Sequence, residues 1–102
     1  MNGFKKKKER LDLIADYLEE LNDALPQSCI IENVLEEPYC GCVSARVSHH
    51  GQKIDLKLAA EVEETWESYK KYIKGHVINL FLTIERRWLE MAINGYEDVN
   101  RL

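Results

Sequence analysis

Nine apolar residues, Val62, Trp66, Tyr69, Ile73, Val77, Leu80, Ile84, Trp88 and Met91, hold the α-helical period for about eight turns at 3.6 residues each. The spacing predicts a helix over 61–94. Asn94-Gly95 is a stop signal, and Glu61, Glu63, Glu64 and Glu67 stand where a helix N-terminus favours negative charge. A helix of that span is roughly 51 Å long, whereas a compact domain of this size has a radius of gyration of only ~13 Å. Part of the rod must therefore overhang or bend. Lys70, Lys71 and Lys74 precede Gly75 as basic residues precede a helix end, so the rod either runs straight through Gly75 or kinks there.

A second apolar row lies roughly opposite the first when residues are placed at ~100° each: Ile78, Leu82, Leu89 and Ile93. Apart from Glu85, polar residues such as Asn79, Thr83, Arg86 and Glu90 keep to one flank. A helix apolar on both sides has to be covered on both sides. Two covers are compatible with the pattern. In one, the N-terminal helix wraps round this segment within the monomer. In the other, Ile78, Leu82, Leu89 and Ile93, with Trp88 beside them, form an interface with a second subunit or a partner. Lysines do not line the polar flank, which argues against a membrane-surface helix.

The remaining elements predict an α+β domain: an N-terminal helix, a three-stranded antiparallel meander and the long C-terminal helix packed on one sheet face. Leu11, Ile14, Leu18, Leu21 and Leu25 step by three and four between Phe4 and Leu25, with Asp12, Asp16, Glu19, Glu20 and Asp23 on the wet side. Ser28 to Glu36 is short and β-branched and ends before Pro38, so it reads as a strand. Its inward face is ambiguous, because Cys29, Ile31 and Leu35 lie on one side and Ile30 and Val34 on the other. Val43, Ala45 and Val47 alternate with Ser44, Arg46 and Ser48, and Ile54, Leu56 and Leu58 alternate with Asp55 and Lys57. A two-residue turn at His50-Gly51 then opposes Val47 to Ile54, Ala45 to Leu56 and Val43 to Leu58, with Arg46 meeting Asp55 on the other face.

This hairpin bears on the window of residues 38–53, "PYCGCVSARVSHHGQK", whose two cysteines and two histidines are all zinc-ligand types. Along one extended strand Cys42 and His49 lie roughly 23 Å apart at ~3.3 Å per residue, so one ion cannot hold both. Cys40 and Cys42 would need ligands from elsewhere. His49 and His50 would too, and adjacent residues in a turn are expected to diverge. The expectation is ordinary thiols and turn histidines with no metal and no cofactor. Cys-Gly-Cys also lacks the Cys-X-X-Cys spacing of redox sites. Trp66, Tyr69 and Trp88 lie on the core stripe and read as packing, leaving Tyr39, Tyr72 and Tyr96 for surface contacts.

The 102 residues make one domain, 1–102, with a basic head at 1–8. Net charge is −4, from 14 basic and 18 acidic residues. Residues 1–10 hold Lys5, Lys6, Lys7, Lys8 and Arg10 against Glu9, so the other 92 carry −8. Such a body repels a phosphate backbone, so Lys5, Lys6, Lys7 and Lys8 are the candidate phosphate contacts. No apolar run of ~18 residues exists and none follows the lysines, so neither a membrane span nor a signal peptide is expected. Three cysteines, an odd number, fit reduced thiols in a cytoplasm.

No phosphate loop, nucleophile elbow, His-Glu-X-X-His or dinucleotide fingerprint occurs. His49, His50 and His76 are conceivable bases and Glu63-Glu64 a conceivable acid pair, but any solvated acidic helix offers as much. The order of elements resembles the double-stranded-RNA-binding domain in outline. That family grips phosphates with lysines at the start of its second helix, where this chain has Glu61, Glu63, Glu64 and Glu67, which argues against an RNA role. The expectation is a non-enzymatic, cytoplasmic, acidic protein-binding domain, an adaptor, chaperone or inhibitor that occupies a partner's surface as a homodimer. The alternative is a nucleic-acid-associated regulator that uses the lysine head.

Overall fold

The computed structural model describes residues 2–26 and 28–100, with side chains from residue 8 to residue 95 apart from Gln27. Five elements follow in order: α1 (Asn2–Ala24), β1 (Cys29–Glu37), β2 (Cys42–His49), β3 (Gln52–Ala59) and α2 (Trp66–Asn100). The strands form one antiparallel sheet in the order β1-β2-β3, and both helices pack on the same face of it. The α+β arrangement is the one the periodicities call for.

The β2–β3 hairpin has the register the alternation dictates, pairing Val47 with Ile54, Ala45 with Leu56, Val43 with Leu58 and Arg46 with Asp55. His50 and Gly51 both have positive φ, 52° and 74°, the backbone of the two-residue turn that follows the right-handed twist of a strand pair. Away from the helices the sheet is polar, with ion pairs Arg46–Asp55 at 2.8 Å, Lys57–Glu37 at 3.3 Å and Lys53–Glu32 at 3.7 Å.

A bulge resolves the two-faced pattern of β1. Glu32 pairs with Arg46 and Leu35 with Ser44, so three steps on β1 oppose two on β2, and Asn33 takes φ 56°. The extra residue switches the inward face in mid-strand: Cys29 and Ile31 are buried before it and Val34 packs on the core after it, while Ile30 and Leu35 point to solvent. Neither simple alternation is obeyed over the whole strand.

Leu11, Ile14 and Leu18 from α1 meet Ile31, Val43, Val47 and Leu58 from the sheet and Tyr69, Ile73, Val77 and Ile84 from α2 in one core. Asn22 ties α1 to the sheet by accepting a hydrogen bond from the Ile31 amide at 2.9 Å. Tyr69 ties α2 to the end of β3 by donating to the Ala59 carbonyl at 2.6 Å.

Two expectations for α2, its start and its end, are corrected, and of the two readings at Gly75 the straight one holds. The helix begins at Trp66 and not at 61, because Thr65 is its N-cap: Thr65 Oγ1 accepts from the Ser68 amide at 3.2 Å. Glu61, Glu63 and Glu64 therefore precede the helix, and Glu67 alone is in its first turn. No break occurs at Gly75, where a methyl group would meet nothing within 4 Å. Asn94-Gly95 does not end the helix either, since the positive-φ glycines are Gly41 and Gly51, so Gly95 lacks the left-handed backbone of a C-cap. The result is an uninterrupted 35-residue rod. It gives the molecule extents of 68 × 24 × 22 Å and a radius of gyration of 17.1 Å. Overhang, not bending, accommodates its length. No described helix is long and apolar enough to cross a membrane.

Candidate functional site

From Tyr69 to Ile84 the inner face of α2 is buried, and Glu85, Trp88 and Met91 reach the β2–β3 turn. Beyond that turn the sheet has ended. Met91 is consequently 62% exposed and Trp88 39% exposed, although both continue the core stripe in sequence. The stripe outruns the surface it packs on.

On the opposite side Ile78, Leu82, Leu89 and Ile93 are 40%, 53%, 49% and 54% exposed. Of the two covers, wrapping by α1 is ruled out: Leu11, Ile14 and Leu18 bury themselves in the same core as the inner face of α2, so α1 lies on the sheet side. The row is open for its whole length. Tyr39 and Tyr72 are exposed, as expected, and the Tyr96 side chain is outside the described residues.

At the rim of this face the histidines do not diverge, as adjacent turn residues were expected to do. His49 ends β2 and points inward, while the positive φ of His50 folds its ring back over its neighbour, with ring centroids 3.9 Å apart. Both rings meet Glu85 of α2. His50 Nε2 lies 3.0 Å from Glu85 Oε1, and His49 Nε2 contacts the same oxygen. His49 is fully buried, with Nδ1 2.9 Å from the Ser28 carbonyl, and Phe81 packs on its ring at 4.8 Å. Trp88 lies flat on His50, 4.2 Å between centroids and 13° between planes.

Burial opposes a charge on His49, but the Ser28 carbonyl and the Glu85 carboxylate outweigh it and raise its pKa. The hydrogen bond from His49 holds Glu85 below the usual carboxylate range, with His50 assisting. Sequence reasoning missed the partnership because 36 residues separate His49 from Glu85. Its signal was Glu85 itself, the one acid that interrupts the apolar flank of α2.

The cysteine end of the window is a separate cluster. Cys42 lies 3.4 Å from Glu37 Oε2, and Cys40 is exposed nearby. Glu37 is held by Lys57 at 3.3 Å. Of the basic head, Lys8 pairs with Asp12 and Glu36, each at 3.6 Å, and the side chains of Lys5, Lys6 and Lys7 are outside the described residues. His76 is elsewhere, stacked on Tyr72 at 5.9 Å.

Comparison with protein-family models, with curated proteins and with solved structures finds no match. The geometry of the molecule is therefore the basis for reading its function.

Proposed function

We propose that this chain is a non-catalytic protein-binding domain that assembles as a homodimer through the outer face of α2. The observation that carries this reading is the self-complementarity of the exposed row. Ile78, Leu82, Leu89 and Ile93 are spaced four, seven and four apart and read Ile-Leu-Leu-Ile from either end. A twofold contact requires a surface that matches itself. With the twofold between residues 85 and 86, an antiparallel pair of α2 helices sets Ile78 level with Ile93 of the second copy and Leu82 level with Leu89. The two copies of Arg86 then share one flank, each with its own counterion, since Arg86 lies 3.5 Å from Glu90.

Burying that row removes from water the large apolar side chains that the monomer leaves out. The acidic outer side of α1, with Asp16, Glu19, Glu20 and Asp23, stays free of the contact and suits a basic protein surface as the further partner. Unpaired Cys29, Cys40 and Cys42 suit a reducing, cytoplasmic setting. A nucleic-acid role gains nothing from Lys8, which is engaged by Asp12 and Glu36.

The test is Leu82→Glu, with mass measured by sedimentation and folding by circular dichroism. A folded monomer is expected. A folded dimer, or an unfolded chain, would overturn the proposal, the latter by placing Leu82 in the monomer's own core.

A further inference from the structure

We propose that His49, His50 and Glu85 form a binding site for one divalent transition-metal ion, with Zn2+ the best fit. Three donor atoms, the two Nε2 atoms and a Glu85 carboxylate oxygen, lie within 4.8 Å of one another. They come from three rigid places: the last residue of β2, the two-residue turn and the middle of α2. Two imidazoles and one carboxylate are the donor set of three-ligand zinc sites, which keep a further position for water or an incoming ligand. Nitrogen donors disfavour Mg2+ and Ca2+, which take oxygen.

The surroundings match what a metal-binding histidine needs. The Ser28 carbonyl, 2.9 Å from His49 Nδ1, holds the proton on that nitrogen and leaves Nε2 as the ligating atom; outer partners of this kind orient histidine ligands. His50 is held by the stacked Trp88, and Phe81 walls the far side of His49. The site is reachable, because the His50 and Glu85 side chains are 25% and 31% exposed.

Both Nε2 atoms converge on the same Glu85 carboxylate oxygen. A divalent cation satisfies both nitrogen lone pairs and the carboxylate at once, taking the place of the proton between His49 and Glu85, which leaves to solvent. The other candidate cluster among the described residues, Glu37, Cys40 and Cys42, has its carboxylate already occupied by Lys57.

Metal binding stands apart from helix pairing, since Leu82 is not a ligand and the Leu82→Glu chain keeps all three. The experiment is calorimetric titration of chelator-stripped protein with Zn2+, repeated with Co2+ for its visible spectrum. One ion per chain is expected, with a Co2+ spectrum free of thiolate charge transfer. His50→Ala and Glu85→Gln should each weaken binding by about tenfold or more while circular dichroism is unchanged, and Cys40→Ser should bind as the parent does. Absence of stoichiometric binding, parental affinity in His50→Ala and Glu85→Gln, or loss of binding in Cys40→Ser would overturn the assignment. Nitrogen-15 spectra of the unaltered chain give a readout that needs no variant: Zn2+ should shift Nε2 of both His49 and His50, and a shift confined to His76 would overturn it.

Discussion

Trp88 lies parallel to His50, 4.2 Å away, at the place where the long helix leaves the sheet. The stack joins α2 to the hairpin tip. Because Trp88 is 39% exposed, removing it should cost less than removing a core tryptophan: Trp88→Ala is expected to lower stability by about 1–2 kcal/mol, against about 3–5 for a fully buried aromatic. Urea denaturation checks this. A loss at the core value would mean the helix end depends on this contact far more than its exposure indicates.

Gly75 lies inside a continuous helix with open space where a side chain would go. Gly75→Ala should therefore raise stability by about 0.5–1 kcal/mol through reduced backbone entropy of the unfolded chain and better helix propensity. Thermal unfolding monitored at the helix signal is the measurement. Destabilisation would mean that Gly75 is needed as a bend.

The antiparallel register proposed for α2 makes a cross-linking prediction. In a Cys40→Ser background, a mixture of Ile78→Cys and Ile93→Cys chains should give a disulfide-linked heterodimer under mild oxidation. Ile78→Cys alone should not, because the two copies of position 78 would lie roughly 22 Å apart along the helix axis. Self-linking at position 78 would indicate a parallel pair.

Glu36 is the test of charge in the α1–β1 layer. Among the described residues its Oε1 is buried without a hydrogen-bond partner, the Lys8 ammonium at 3.6 Å being too distant. Burial, and then the neighbouring Asp12, raise its pKa in spite of Lys8. A carboxyl whose folded pKa is raised stabilises the fold below its unfolded value, and that contribution is lost as pH rises through the folded value. Glu36→Gln should therefore gain stability relative to the parent between about pH 4 and about pH 7. Denaturation midpoints at the two ends of that window decide it, and the opposite trend would show that Lys8 governs the site.

The elements legible in the sequence were those whose burial follows a single period. Val43 to Leu58 alternates without interruption, and the register followed down to Arg46 against Asp55. β1 was not legible, because the bulge at Asn33 changes the inward face in mid-strand and a fixed period of two cannot describe both halves. The start of α2 was obscured by Glu61, Glu63 and Glu64, whose charge suits a helix terminus, when the Thr65 hydroxyl makes the cap. The apolar row of Ile78, Leu82, Leu89 and Ile93 was visible from helical phase, and the structure adds that the monomer leaves it open. The convergence of His49 and His50 on Glu85 was hidden, since it depends on a turn folding one ring over the other and on a helix returning 35 residues later.

The central claim is that two copies of α2 pair through their outer faces, and the most direct measurement is the mass of the unaltered chain in solution by sedimentation equilibrium across micromolar concentrations. Twice the 11.9 kDa chain mass is expected. A single 11.9 kDa species throughout would contradict it.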